Sequence, residues 1–224
     1  MAEQMVQMRR VLKLGVAIGM TMGGQAALAD DGCRIAVLGD SLTSSYGLAL
    51  EEGFPARLEQ RLAEQGYGCA VLDAGVTGDT SAGGRARLDW LLADQPSHVI
   101  VELGGNDALR ALPPEEMEAN LDAIIERLKA AGVEVLLAGM LAPPNLGTAY
   151  GEAFAAVFPR LAAEHDLPLY PFFLDGVAGS LELNQADGVH PSAAGIELIV
   201  EGILPTVERW LGDEHRTPSA SATQ

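Results

Sequence analysis

Short apolar runs alternate with longer amphipathic stretches from residue 34 to residue 211. Arg34-Ile-Ala-Val-Leu-Gly39, Cys69-Ala-Val-Leu-Asp73, His98-Val-Ile-Val-Glu-Leu103 and Val133-Glu-Val-Leu-Leu-Ala138 read as buried strands, with Leu167–Tyr170 as a short edge strand. The stretches between them carry helix signals. Pro55 to Gln65 opens with proline and stops at Gly66, and Pro114 to Ala131 opens with Pro and Glu115-Glu116 and closes at Gly132. Ser81–Ala93 and Tyr150–His165 are two further helices, and Pro191–Leu211 is the last, with an interruption expected near Gly202 and Pro205. Strands made of near-continuous Val, Ile and Leu imply a parallel sheet covered on both faces. Right-handed crossovers then favour a doubly wound, three-layer α/β/α fold in one domain, residues 30–211.

The ends of the chain read differently. Arg9, Arg10 and Lys13 precede a short apolar, glycine-containing stretch and the small-residue sequence Ala27-Leu-Ala29. This is the pattern of a signal peptide, residues 1–29, cleaved after Ala29, and it implies a periplasmic or secreted protein. The stretch is too short to make a stable membrane span. Residues 212–224 are polar and are expected to be a disordered tail.

Composition narrows the function classes. Of 224 residues, 48% are hydrophobic, which is enough for a full core. The formal charge of −17 repels phosphate backbones, so a nucleic-acid partner is excluded. Two cysteines rule out a disulfide-dense scaffold and a four-cysteine zinc site.

In doubly wound folds, ligands bind beyond the carboxyl ends of the strands. The loops there read Gly39-Asp-Ser-Leu-Thr-Ser-Ser45, Gly75-Val-Thr-Gly-Asp79, Gly104-Gly-Asn-Asp107, Met140 to Gly147, and Asp187-Gly-Val-His-Pro191 ahead of the last helix. A serine hydroxyl is a weak nucleophile unless a base takes its proton, and that base must be held in one tautomer by a third group. Asp187 and His190, three apart, can lie side by side, and both would face Ser41 across the rim. Backbone N–H groups of Ser41 and Gly78 and the side-chain amide of Asn106 are candidate donors to an oxyanion. Taken singly, each residue has an ordinary reading. Asp40 and Ser41 suit a cap, Gly78 a positive φ, and a lone His190 a structural histidine.

Taken together, Gly39-Asp-Ser-Leu42, the Gly78 loop, Gly104-Gly-Asn-Asp107 and Asp187-Gly-Val-His190 resemble the four sequence blocks of the SGNH (GDSL) hydrolase superfamily. Val76-Thr-Gly-Asp-Thr-Ser81, Val101-Glu-Leu-Gly-Gly-Asn-Asp107 and Pro168-Leu-Tyr-Pro-Phe-Phe173 resemble its bacterial periplasmic thioesterase I, lysophospholipase and arylesterase group. The resemblance implies a flavodoxin-like five-stranded parallel sheet of order 2-1-3-4-5. It also implies Ser41 as nucleophile, His190 as base and Asp187 as orienting acid, with Ser41, Gly78 and Asn106 as the oxyanion hole. Hydrolysis of acyl esters without metal or cofactor follows, and a loop near Ala108–Pro113 that contacts the acyl chain. On this reading, loss of the Asn106 amide should cripple turnover with little change in stability.

Leu109, Arg110, Leu112, Met140, Leu141 and Leu146 are the candidate substrate-binding residues, most of them apolar and suited to a fatty-acyl groove. Simple acyl esters and lysophospholipids are the preferred substrates, with thioesters also hydrolysed. A carbohydrate O-acetylesterase of the same superfamily is the nearest alternative. A non-catalytic flavodoxin-like module binding FMN or phosphate is the alternative from another class. In the 2-1-3-4-5 order the starts of strands one and two are neighbours, about 5 Å apart. Cys33 and Cys69 head those strands, so a disulfide between them is expected.

Overall fold

The computed structural model describes residues 32–216, so the signal peptide read in residues 1–29 lies outside the described residues. Five strands form one sheet: β1 (Arg34–Leu38), β2 (Ala70–Asp73), β3 (His98–Glu102), β4 (Glu134–Ala138) and β5 (Leu169–Tyr170). Their order is β2-β1-β3-β4-β5 and every pairing is parallel, as expected. All five residues of β3 are buried, which is why this strand carries no polar alternation until Glu102 at its end.

The helices are α1 (Phe54–Glu64), α2 (Ser81–Ala86), α3 (Leu88–Ala93), α4 (Gly105–Leu109), α5 (Pro114–Ala130), α6 (Thr148–Ala155), α7 (Val157–His165) and α8 (Ala193–Leu211). α1 packs on α8, while α5 packs on α2, α6 and α7, giving a helical layer on each side of the sheet. The contact faces follow helical spacing. α1 buries Phe54, Leu58 and Leu62, and α8 buries Ile196, Ile199, Val200, Ile203, Val207 and Leu211.

Four local departures from the sequence reading have physical reasons. The stretch 81–93 is two helices, because the chain turns at Arg87 (φ −104°, ψ 9°), whose guanidinium is drawn to Asp79 Oδ2 (2.6 Å) and the Gly39 carbonyl (2.9 Å). The stretch 150–165 divides at Ala156. α8 is not interrupted: Gly202 and Pro205 lie on its exposed side, where the carbonyl left without a partner by the proline can reach solvent. Residues 212–216, read from the sequence as part of a disordered tail, are held against the domain, and residues 217–224 lie outside the described residues. Tyr67 and Arg216 form an antiparallel bridge, the Gly68 N–H donates to the His215 carbonyl (3.1 Å), and the Arg216 guanidinium lies 4.8 Å from the Tyr67 ring centroid.

Cys33 and Cys69 are joined by a disulfide with Cα atoms 4.4 Å apart. The bridge ties the amino ends of β1 and β2, at the opposite end of the strands from Ser41. The carboxyl ends all open toward one rim, and the loops there hold the candidate chemistry.

Candidate active site

β1 ends at Leu38, and after Gly39 the chain turns at once. Asp40 is buried and forms the turn itself: its Oδ1 accepts the Leu42 N–H (2.9 Å) and its carbonyl accepts the Ser44 N–H (3.1 Å). The capping role that Asp favours is therefore real, and it serves to present Ser41 at the rim. A 3₁₀ turn at Leu50–Glu52 then leads into α1.

Ser41 meets the loop that precedes α8. His190 Nε2 lies 2.9 Å from Ser41 Oγ, and His190 Nδ1 lies 2.7 Å from Asp187 Oδ2. The carboxylate assigns the proton to Nδ1, which leaves Nε2 to accept the serine hydroxyl. Asp187 Oδ1 also accepts the backbone N–H groups of Val189 (2.9 Å) and His190 (3.0 Å). These bonds, His190 N–H first and then Val189 N–H and the imidazole, hold its pKa down at about 2. Its charge is thus present throughout the neutral range.

Two contacts that the sequence did not suggest fix this loop against the nucleophile turn. The Tyr46 ring lies 4.3 Å, centroid to centroid, from the His190 ring. Gln185 donates from Nε2 to the Tyr46 carbonyl (2.8 Å) and the Pro191 carbonyl (3.0 Å), while its backbone N–H donates to the His190 carbonyl (2.7 Å). Nothing in a single sequence marks a glutamine for this work.

The candidate oxyanion donors line the same cavity as Ser41 and His190. Gly78 has φ +82°, a conformation strained for any side-chain-bearing residue. Asn106 sits on the short α4, where the sequence predicts a loop. One N–H of its amide donates to Asp40 Oδ2 (2.8 Å), which leaves the second N–H for a ligand. This contact corrects the expectation of an unchanged stability on losing Asn106, because the amide satisfies a carboxyl that is only 1% exposed. Burial pushes the Asp40 pKa up to about 6, against the pull of its hydrogen bonds to Leu42 and Asn106.

The cavity, about 630 Å³, is walled by Leu42, Leu109, Met140, Leu141, Pro143, Pro144, Phe172, Leu174 and Val189, and Ser41, Asn106 and His190 also line it. Of the expected substrate-binding residues, Leu109, Met140 and Leu141 line it. Arg110, Leu112 and Leu146 do not. Arg110 turns back to donate from Nη2 to the Gly78 carbonyl (2.8 Å), where its charge braces the oxyanion turn. The Leu112 carbonyl accepts the Tyr150 hydroxyl (2.8 Å), and Leu146 closes the 3₁₀ turn Pro144–Leu146.

The sequence pattern of the GDSL-like lipase/acylhydrolase family matches residues 37–198, which span all these loops. The chain belongs to that family. Esterase TesA of Pseudomonas aeruginosa is 42% identical to this GDSL hydrolase over 203 residues, covering 90% of the chain and all of the relative. Thioesterase 1/protease 1/lysophospholipase L1 of Escherichia coli K12 is 42% identical over 169 residues, 75% of this chain and 78% of that one. A crystal structure of TesA superimposes with a TM-score of 0.76 at 43% identity, covering 79% of this chain and 99% of that chain. This GDSL hydrolase is accordingly a carboxylic ester hydrolase of the SGNH type, within a group of esterases, thioesterases and lysophospholipases.

Proposed function

We propose that the protein is an exported esterase and lysophospholipase that cleaves fatty-acyl esters, and also acyl thioesters, through an acyl-enzyme on Ser41. The observation that carries this reading is the unbroken chain from Asp187 Oδ2 through the His190 ring to Ser41 Oγ, at 2.7 and 2.9 Å, opening onto a largely apolar cavity.

Ser41 Oγ attacks the ester carbonyl carbon as His190 Nε2 takes its proton. The imidazolium that forms is stabilised by the Asp187 carboxylate. The carbonyl oxygen, now negative, is received by the N–H groups of Ser41 and Gly78 and the free amide N–H of Asn106. The C–O bond to the leaving alcohol breaks as His190 returns the proton to it. Water, deprotonated by the same nitrogen, then cleaves the acyl-enzyme and restores Ser41. A thioester follows the same path with a thiol as leaving group.

The apolar wall favours an alkyl chain over a sugar ring, which would need polar partners and stacking surface. That weighs against the O-acetylesterase alternative. A flavin- or phosphate-binding module would leave the Ser41–His190–Asp187 chain without a purpose. Export is supported by the signal-peptide pattern of residues 1–29 and by the Cys33–Cys69 bridge, since disulfides persist in oxidising compartments. Among the described residues, no helix is long and apolar enough to cross a membrane.

The test compares acetyl and octanoyl p-nitrophenyl esters and a lysophosphatidylcholine on the wild type and Ser41→Ala, with a fluorophosphonate as label. The octanoyl ester is expected to be turned over with the higher kcat/KM, and the label to attach at Ser41. Wild-type turnover in Ser41→Ala would overturn the mechanism, and preference for the acetyl ester would overturn the substrate class. Export is tested by cell fractionation and amino-terminal sequencing, with the mature chain expected to start at Asp30.

A further inference from the structure

Glu102 ends β3 directly beneath the nucleophile turn and has no part in the proton path described above. Its side chain is fully buried, and neither carboxyl oxygen has a hydrogen-bond partner among the described residues. The Asp40 backbone N–H faces it without reaching hydrogen-bond geometry. No ion pair to Glu102 occurs among the described residues. The carboxyl lies hard against Gly39: a Cβ at that position would sit 2.9 Å from Glu102 Oε2. The turn that delivers Ser41 is therefore seated against this acid, and Gly39 has no room for a side chain because the Thr43 side chain, nearest of all, and the Glu102 carboxyl fill the space.

One residue along the turn lies a second buried acid, Asp40. Both acids are buried and the charge of Asp40 acts on Glu102, so ionising both in so dry a site is heavily disfavoured. Hydrogen bonding decides which holds the proton. Asp40 accepts from the Leu42 N–H and the Asn106 amide, both of which stabilise the anion, whereas Glu102 accepts from neither. An unpaired, unbonded carboxylate at full burial is too costly to persist.

We propose that Glu102 is a positioning residue: a neutral carboxylic acid wedged beneath Gly39 that carries the one proton of the Asp40–Glu102 pair, so that Asp40 stays the charged acceptor aiming Asn106. The consequence for turnover rests on the esterase reading; the protonation state does not. If Asp40 took up a proton as well, its O–H could donate to the Asn106 carbonyl oxygen, and the amide would turn its N–H groups away from the oxyanion. If Glu102 lost its proton, a buried negative charge would sit under the developing oxyanion. The site works with one proton on the pair. The directions of the two pKa values agree, with burial raising Asp40 to about 6 and Glu102 well above its usual range. The other titratable and charged groups facing the turn are His190 and Asp79, both of which act on Asp40, and Arg87, which pairs with Asp79 and donates to the Gly39 carbonyl.

The experiment uses the full-length protein with Glu102→Ala and Glu102→Gln. Glu102→Ala empties the seat under Gly39 and is expected to lower kcat on the order of 10- to 100-fold, the scale of a displaced catalytic group. Glu102→Gln keeps shape and neutrality, so it recovers most of that loss at pH 7. The wild type should lose kcat toward alkaline pH as Glu102 ionises, and Glu102→Gln should lack that decline. Two readouts need no substrate and so judge Glu102 even if the ester assay fails. The wild-type minus Glu102→Gln infrared difference spectrum should carry a protonated-carboxyl C=O band at pH 7. The melting temperature of the wild type should fall relative to Glu102→Gln as pH rises above about 4.5, because a raised folded pKa withdraws stability in that direction. A carboxylate band in place of the acid band, or a Glu102→Gln variant as slow as Glu102→Ala, would overturn the proposal; if Glu102→Ala does not fold, the Gln variant and the infrared band decide it.

Discussion

Replacing Asn106 with alanine removes two hydrogen bonds that serve different ends, and the structure separates their magnitudes. The free N–H is the candidate oxyanion donor. Loss of one such donor costs about 2.7–4 kcal/mol of transition-state stabilisation, or ~10²–10³ in kcat. The other N–H bonds to Asp40 Oδ2 at 2.8 Å, within a pocket where Asp40 is only 1% exposed. Breaking a hydrogen bond to a buried charged group costs about 1.5–3 kcal/mol of stability. In a domain of this size that is a fall of roughly 3–12 °C in Tm. The stability loss has a pH signature. The amide favours ionised Asp40, so its contribution is present above the folded Asp40 pKa of about 6 and fades as pH falls through that value. Thermal melts of wild type and Asn106→Ala at pH 8 and pH 5, with kcat on an octanoyl ester at pH 8, measure all three quantities. A variant with near-wild-type kcat would remove Asn106 from the oxyanion hole. A Tm gap equal at the two pH values would show that the bond to Asp40 does not depend on its charge.

Four further outcomes follow from the same geometry. Asp187→Ala should lower kcat on the order of 10³–10⁴-fold with little change in KM, because the imidazole loses its tautomer and its counter-charge together; steady-state kinetics at pH 8 checks this. In the wild type the Asp187 carboxylate, held at about 2, does not shape the activity profile above pH 4, so any acid limb there arises elsewhere in the site. The double variant Cys33→Ala/Cys69→Ala should lose about 2–4 kcal/mol of stability in denaturant unfolding, while kcat stays at the wild-type value because the bridge is at the far end of the strands from Ser41. Leu141→Asp puts a charge on the apolar wall and should raise KM for an octanoyl ester far more than for an acetyl ester; equal effects on both would mean that the alkyl chain runs elsewhere.

The sheet was legible because its strands carry their own signal. Continuous Val, Ile and Leu in β1, β3 and β4 can be satisfied only between two helical layers, and the order follows once the crossovers share one hand. Ser41, Gly78, Asn106, Asp187 and His190 were legible as candidates for a different reason: each sits at a strand end or helix approach, where the fold directs ligands, and together they offer a hydroxyl, an imidazole, a carboxylate and amide donors. Arg87 and Pro205 were harder. A long-range pull on a guanidinium breaks one helix, and an exposed face lets the other continue through a proline, and both depend on neighbours far along the chain. That Arg110, Leu112 and Leu146 stand outside the cavity lining has the same source. Residue type placed them near the mouth of the cavity, but side-chain direction decides whether a residue faces substrate or braces the loop behind it.

The groups whose tethering role the sequence does not reveal share a property that bears on how the site works. Gln185, Tyr46, Arg110, Asp40 and Glu102 supply few of the reacting atoms, yet each ties one catalytic loop to another or to the sheet. Gln185 joins the His190 loop to the Tyr46 carbonyl, Arg110 joins α4 to the Gly78 turn, and Asp40 joins the nucleophile turn to Asn106. Hydrogen bonds at this range hold the reacting groups within the tolerance that acyl transfer demands, and a donor misplaced by about 1 Å can cost 100-fold. The triad and oxyanion residues specify which reaction is possible; the loop-to-loop bonds specify how often the parts are aligned to perform it. Substitutions at Gln185 and Arg110 should therefore act mainly on kcat, leave KM near its wild-type value, and add less than independently when combined, because both constrain the same assembly. A Gln185→Ala/Arg110→Ala double variant whose kcat loss equals the product of the two single losses would show that the two sides of the site are held independently, and would refute a shared alignment.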